Sequence, residues 1–446
     1  MKKYLLIAIA CSIAMGTWAL DPLLAYSDNQ QPKGCVDKDI SNQELSLFDL
    51  IQIGICTNPS LSAQYMGVKA AEASVGISRA EYLPSVVLSG QGNITGERIE
   101  GQNYVQNEPY SGTATASWLL FDWGGRTSRA KASRAQADML RFAYDAQLQD
   151  FMLSVQTAYL NVLAAKESLT SAKASLDTYN QSYNEAQKRY KLGMVSLSDK
   201  LQTKTKYEQA LLAVVLAENS LNQAQGNLAV LLNLSPNTPL RIETPIFDDD
   251  FTKIENDNIE QLMQEALANR PEMRAQESAQ QMAKSNLYNA RTQHLPSVYA
   301  NASASYGDNW KHSSPYKMNT VAGVSVSMPL FAGFANMYAT QSAFYAYKQA
   351  QSNTQSIRLQ IQNDVWNKYQ NYNTAVQAYK ISKTVLESAE ENERVAFRYY
   401  KVGKSDTLNL LTAVAQLADA RQNKITAFYD LLLSKASLQR SIGKQL

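Results

Sequence analysis

Two periodicities divide this chain of 446 residues. The first is short and has period two. Val324, Val326 and Met328 alternate with Ser325 and Ser327. Val298, Ala300, Ala302 and Ala304 alternate with Ser297, Tyr299, Asn301, Ser303 and Ser305. Nearer the N-terminus, Thr113, Thr115 and Ser117 alternate with Ala114, Ala116 and Trp118. This is the pattern of strands with one apolar and one polar face. It predicts two strand pairs, the first over residues 85–95 and 112–121, joined by polar loops at 96–111 and 307–319. The second periodicity is long and helical. Neither proline nor glycine occurs from Arg126 to Leu192 or from Ala335 to Val402. Each run predicts a helix of about 100 Å at 1.5 Å per residue, stopped by Gly193 or Gly403 as C-terminal glycines stop helices. Further helices follow over 197–233 and 406–443. The last carries a seam of Leu411, Val414, Ala418, Arg421, Ile425, Phe428 and Leu432, whose alternating spacing of three and four suits a coiled coil. Arg421 is expected at the seam's edge, snorkelling to water. Before the first strands, a helix is expected from Leu47 to Tyr82, ended by Pro84.

The elements come twice. Leu83-Pro84-Ser85-Val86 recurs as Leu295-Pro296-Ser297-Val298, Asn58-Pro59 as Arg270-Pro271, Leu120-Phe121 as Leu330-Phe331, and Tyr190-Lys191-Leu192-Gly193 as Tyr400-Lys401-Val402-Gly403. So long a period excludes solenoids, whose repeats run to roughly 20–50 residues. Each copy reads helix, two strands, very long helix, tight turn, helix. The two shorter helices of a copy, laid end to end, match the long one and make a rod of constant thickness. The first repeat is placed at 20–233 and the second at 258–446. The linker at 234–257, with its prolines and Asp248-Asp249-Asp250, is expected at mid-rod height.

Lys2 and Lys3 followed by the apolar stretch Leu5 to Met15 predict a secretory signal over 1–19, cleaved near 19–25. Beyond it no run of 18 apolar residues predicts a membrane-spanning helix. With the signal removed, Cys35 and Cys56 remain, and in an oxidising compartment they are expected to pair. The net charge of +2 gives no argument for nucleic acid. His294, His312 and the aspartate triplet lack the spacing of catalytic or metal sites, so neither enzyme activity nor a cofactor is expected.

One chain supplies four strands, too few to close a barrel, and lipid tolerates no open sheet edge. Three chains would pool twelve strands into a membrane barrel. Tyr104, Tyr110, Trp118, Trp310 and Tyr316 would form its aromatic girdle. The paired motifs above, with Leu120-Phe121-Asp122-Trp123-Gly124-Gly125-Arg126 and Met328-Pro329-Leu330-Phe331-Ala332-Gly333, resemble the TolC family of outer-membrane efflux and type I secretion channels. The resemblance covers nearly the whole chain after the signal. It implies a mainly α protein with a membrane β-barrel portion: a homotrimer with a twelve-stranded barrel in outer-membrane lipid and a periplasmic tunnel of long antiparallel coiled-coil helices. Its partners would be a periplasmic adaptor and an inner-membrane transporter of ABC, RND or MFS type. A trimeric stalk or adhesin without a conduit, and a periplasmic adaptor, are the competing classes.

The resemblance also implies roles at the helical tips. Gly193 and Gly403 mark the turns that dock the adaptor. Asp199 and Tyr400 match a polar link that holds the tunnel closed. An arginine expected for a second link is Ser405 here. Two acidic positions at the constriction are Asn409 and Thr412, with Asp406 nearby as a partial substitute. Read on its own, Asp199 is equally well placed as a carboxylate at a helix N-terminus.

Overall fold

The computed structural model describes residues 44–97, 100, 105–245, 258–309 and 317–444. The signal segment, Cys35, the aspartate triplet, His312, Tyr104, Trp310 and Tyr316 lie outside the described residues.

The first repeat opens with α1 (Leu47–Thr57) and α2 (Pro59–Ala80). These were expected as one helix. Asn58 breaks it: proline at the next position excludes the helical backbone, and Asn58 sits at ψ 119°. Its Oδ1 then accepts from the N–H groups of Ser60 (3.0 Å) and Leu61 (3.2 Å), starting α2 afresh. Strands β1 (Ser85–Gly92) and β4 (Pro109–Phe121) follow, with a small hairpin of β2 (Thr95–Glu97) and β3 (Val105–Asn107) between them, where a plain loop was expected. Then come α3 (Gly125–Lys191) and α4 (Leu197–Leu231). The second repeat gives α5 (Ile259–Asn269), α6 (Pro271–Thr292), β5 (Ser297–Asn309), β6 (Lys317–Ser327), α7 (Ala335–Lys401) and α8 (Thr407–Ile442). Both long helices have 67 residues.

The rods pack as layers of short helices on long ones. At the equator, Leu50, Ile53 and Leu61 meet Phe151, Val155 and Leu163 of α3 and Leu228 and Leu232 from the end of α4. Thr57 Oγ1 donates to the Leu232 carbonyl (2.8 Å), joining the α1–α2 break to the end of α4. Residues 242 and 243 pack beside this cluster: Leu45 pairs with Ile242 in a parallel bridge, and Tyr159, midway along α3, donates to the Glu243 carbonyl (3.1 Å). A matching cluster in the second repeat holds Leu262, Met273, Ile361, Val365, Tyr372, Leu431 and Leu438. On α8, Leu411, Val414 and Ile425 are buried as the seam predicted, while Ala418 and Arg421 are half-buried. Arg421 keeps Nη1 buried without a hydrogen-bond partner among the described residues.

An ionic network ties the repeats together. Arg440, 5 % exposed near the end of α8, donates to Asp150 of α3 (3.0 Å) and to Glu272 in the first turn of α6 (2.7 Å). Arg270 bridges Glu272 (3.0 Å) to Asp364 of α7 (2.7 Å). Burial alone would push the Glu272 carboxyl up, but Arg270 and Arg440 overcome it and pull it down to about 2. The folded-state value lies below the ordinary 4.5, so Glu272 stabilises the fold fully above pH 4.5. That contribution is lost as pH falls through about 2. Thermal unfolding followed by helical circular dichroism should therefore show the apparent Tm falling between pH 4.5 and 2. Glu272→Gln should flatten this fall.

The sheet is antiparallel, in the order β1-β4-β5-β6. Register places Val298 opposite Val326, Ala300 opposite Val324 and Ala304 opposite Ala114, so one face is apolar. The other carries a polar ladder across three strands: Ser117 donates to Asn301 (3.0 Å), whose amide donates to Ser325 (2.8 Å). Within one chain β1 and β6 are edges. The sheet enters the long helices through two elbows with paired left-handed residues, Trp123-Gly124 (φ 55° and 87°) and Gly333-Phe334 (φ 59° and 62°). A bulky residue in this region is strained, and each elbow puts one aromatic there. Their rings pack edge-on against Phe121 (5.1 Å) and Phe331 (5.5 Å). Arg126 braces the first elbow by donating to the carbonyls of Leu119 and Leu120 (2.6 and 3.0 Å).

Candidate functional site at the helical tips

Each long helix ends the same way. Gly193 (φ 73°) and Gly403 (φ 79°) turn left-handed. The N–H of Gly193 donates to Tyr190 and that of Met194 to Arg189 (3.0 and 2.9 Å). Gly403 and Lys404 repeat the pattern on Tyr400 and Tyr399 at the same distances. This double closure satisfies carbonyls that the helix end leaves open. The returning helices are capped differently. Ser196 Oγ accepts from the Asp199 N–H (3.1 Å), while Asp199 Oδ2 accepts from the Ser196 N–H (3.0 Å) and hydroxyl (2.7 Å). In the second repeat the carboxylate moves to the cap itself: Asp406 accepts from the Asn409 N–H (2.8 Å).

The Asp199–Tyr400 bond is not formed within the chain. Asp199 is committed to its capping box, and the Thr407 hydroxyl of the other hairpin lies beside its carboxylate. The Ser196 hydroxyl holds its carboxyl below the ordinary range against the opposing effect of burial, and Thr407 and the Arg189 charge add to the pull. Tyr400 is buried among Tyr179, Ala210, Leu410, Leu411 and Val414, with its hydroxyl left unpartnered among the described residues.

The residue that does meet Tyr400 is Arg189. It is buried at the end of α3, donates through Nη1 to the Tyr400 carbonyl, and stacks its guanidinium 4.6 Å from the ring centroid. Sequence reading passed over it. A signal existed: Arg189 immediately precedes the repeated Tyr-Lys-x-Gly segment, and the equivalent place in the second copy is Tyr399. Beside this apolar packing, two polar contacts at the tips join the hairpins of one chain, Arg189 to Tyr400 and Asp199 to Thr407. Ser405 takes no part in them; its hydroxyl accepts from the Asn409 amide (2.9 Å). Thr412 is exposed and donates to the Leu408 carbonyl (2.8 Å).

The sequence profile described as "Outer membrane efflux protein" matches residues 50–234 and again 262–444. The chain belongs to the outer membrane efflux protein family. Among relatives, this efflux-family chain is 28% identical over 410 residues to Protein CyaE of Bordetella pertussis, covering 90% of this chain and 84% of that protein. It is 26% identical to the outer membrane protein TolC of Vibrio cholerae, covering 84% and 85%. The solved structure of the outer membrane protein VceC from Vibrio cholerae superposes with a TM-score of 0.79 at 17% identity, over 89% of this chain and 96% of that one. The TolC-family resemblance read from the motifs therefore holds. The protein is an outer-membrane exit duct of the efflux and type I secretion kind, with a duplicated, mainly helical fold.

Proposed function

We propose that three copies of this chain close their open sheets into one twelve-stranded barrel and pool their rods into a periplasmic tunnel. The single observation that carries this is the two-faced sheet. Its apolar face suits lipid and its Ser117–Asn301–Ser325 ladder suits a wet lumen. A stalk without a conduit would need no such polar face. Cargo passes passively, and an inner-membrane transporter of ABC, RND or MFS type supplies the energy. A periplasmic adaptor seats on the turns at Gly193 and Gly403.

The tunnel is closed at rest where the hairpins converge. Arg189–Tyr400 and Asp199–Thr407 hold the two hairpins of each chain together, so opening must break both. The position of the constriction is assigned to Asp406, Asn409 and Thr412. Asp406 is engaged as a helix cap and Asn409 and Thr412 carry no charge, so the mouth has weak acidic character and multivalent cations should block it poorly. We also propose that Cys56, which is disulfide-bonded, has Cys35 as its partner. Thiol labelling of the denatured, unreduced protein should leave both unlabelled; labelling of both would reject the pairing.

Gly193→Val and Gly403→Val test the docking turns. A branched side chain at positive φ is strained by about 1–2 kcal/mol, little against a trimer but enough to reshape a docking turn. Efflux or secretion, normalised to assembled trimer in outer membranes, should fall to near background in both variants. Normal export by both would remove the turns from the docking surface.

A further inference from the structure

Charge is unevenly distributed along the rod. Within ten residues of Gly193 stand four cations against two carboxylates, and the same count holds around Gly403. Each tip thus carries a net +2, and the pair +4, in a chain whose total is only +2. At 1.5 Å per residue, this charge lies within about 15 Å of the turns. Higher on the rod cations are neutralised, as in Lys69–Glu72, Lys173–Glu218 and Arg270–Asp364. At the tips, Lys188, Lys191, Arg398, Lys401 and Lys404 are exposed and form no ion pair among the described residues. The helix dipoles do not offset them, because each turn joins the negative end of one helix to the positive end of the next. Asp199 and Asp406 are held as caps, their carboxylates turned to backbone N–H groups. Side-chain charge therefore sets the field at the tips, and that field is positive.

We infer that the tips of the assembled channel form a cationic collar that makes its mouth select anions, so that anionic solutes enter in preference to cationic ones. This rests on the proposed trimeric tunnel with its constriction at the tips, and it names the class of solute which that constriction favours. Three chains bring a net +12 around one opening. Charges ringing a narrow water path gather ions of opposite sign and repel ions of like sign, and the narrowest part of the path sets the selectivity of the whole. At the positions assigned to the constriction, only Asp406 is acidic, and it is already counted in that sum; Asn409 and Thr412 carry no charge. The barrel end brings no opposing selectivity along its polar ladder, since Ser117, Asn301 and Ser325 are uncharged. Lys191 and Lys401 hold equivalent places two residues before the glycines, so the collar is built twice in each chain and repeats six times around a trimer.

The test is the zero-current potential of the full protein in a planar bilayer across a potassium chloride gradient. At about 0.01 M against about 0.1 M salt, charges are felt over roughly 10–30 Å. The dilute side should become negative, with chloride at least about threefold more permeant than potassium, as potentials of a few kT at the mouth require. Raising both sides about tenfold shortens the screening length to a few Å at the concentrated side and should weaken the preference. Lys191→Gln/Lys401→Gln/Lys404→Gln should remove most of it, whereas Lys69→Gln/Lys173→Gln, far from the tips, should leave it as in the wild type. The wild type supplies a second readout that needs no variant. Inorganic polyphosphate added on the tip side should reduce the current more than the same addition on the barrel side. A conducting wild type that is unselective or prefers potassium would overturn the collar and leave the duct standing. Anion preference that survives in the tip variant, or polyphosphate acting equally from both sides, would also overturn it. Absence of any current would contradict the duct itself and the collar with it.

Discussion

Arg440→Ala should destabilise the protein by about 3 kcal/mol, near the low end of what removing one partner from a buried ionic network costs. The reason is local. Arg440 is almost fully enclosed, and its guanidinium serves Asp150 on one repeat and Glu272 on the other. Without it, Glu272 keeps only Arg270, and the carboxylate that this pair held low loses part of its compensation. Asp150 is more than half exposed, so water recovers some of the loss on that side. Denaturant unfolding followed by helical circular dichroism measures the effect. Lysine should rescue only part of it, because a single ammonium cannot reproduce the planar fork that reaches both carboxylates. A change within about 0.5 kcal/mol, typical of surface substitutions, would show that the network is incidental to stability.

Arg189→Ala should open the tunnel. It removes both the hydrogen bond to the Tyr400 carbonyl and the stack on its ring. A hydrogen bond from a charged donor contributes about 1.5–3 kcal/mol, and a desolvated cation–π contact about 2 kcal/mol more. If the three copies act together, that is enough to move a mostly closed population toward open. Single-channel conductance should rise severalfold in Arg189→Ala and rise again when Asp199→Ala releases Thr407. Arg189→Lys should recover part of the closure, since a lysine can keep the cation over the ring but not the guanidinium geometry. Tyr400→Phe, by contrast, should conduct like the wild type, because the hydroxyl it removes has no partner among the described residues. Equal increases in Tyr400→Phe and Arg189→Ala would return the latch to the tyrosine hydroxyl.

The long helices were legible because their signal is an absence. Runs without proline or glycine predicted Arg126–Leu192 and Ala335–Val402, and the observed ends differ by no more than one residue because Gly193 and Gly403 adopt the left-handed backbone that closes a helix. The strands were legible in their alternation, and the register then placed the apolar and polar sets on opposite faces. The break at Asn58 was not read, although its Asn-Pro pair stood in the repeat. The sequence predicts a single helix from Leu47 to Tyr82, and only the cap geometry shows that α2 begins again. The hairpin β2–β3 escaped because three residues per strand are too few for a period. The tip latch escaped for a different reason. Arg189 and Tyr400 are 211 residues apart, and their meeting depends on how two helix ends converge. Arg440 is of the same kind: its partners Asp150 and Glu272 come from different repeats.

The measurement that tests the account most directly is conductance of the purified protein in planar lipid bilayers. The account predicts discrete steps of one small, ohmic size from the wild type, reflecting a continuous but tip-restricted water path. The step should grow in the Arg189→Ala/Asp199→Ala variant without a change in the number of subunits per channel. A protein that inserts as a trimer yet passes no current, in the wild type and in the double variant alike, would contradict it and leave a stalk without a conduit.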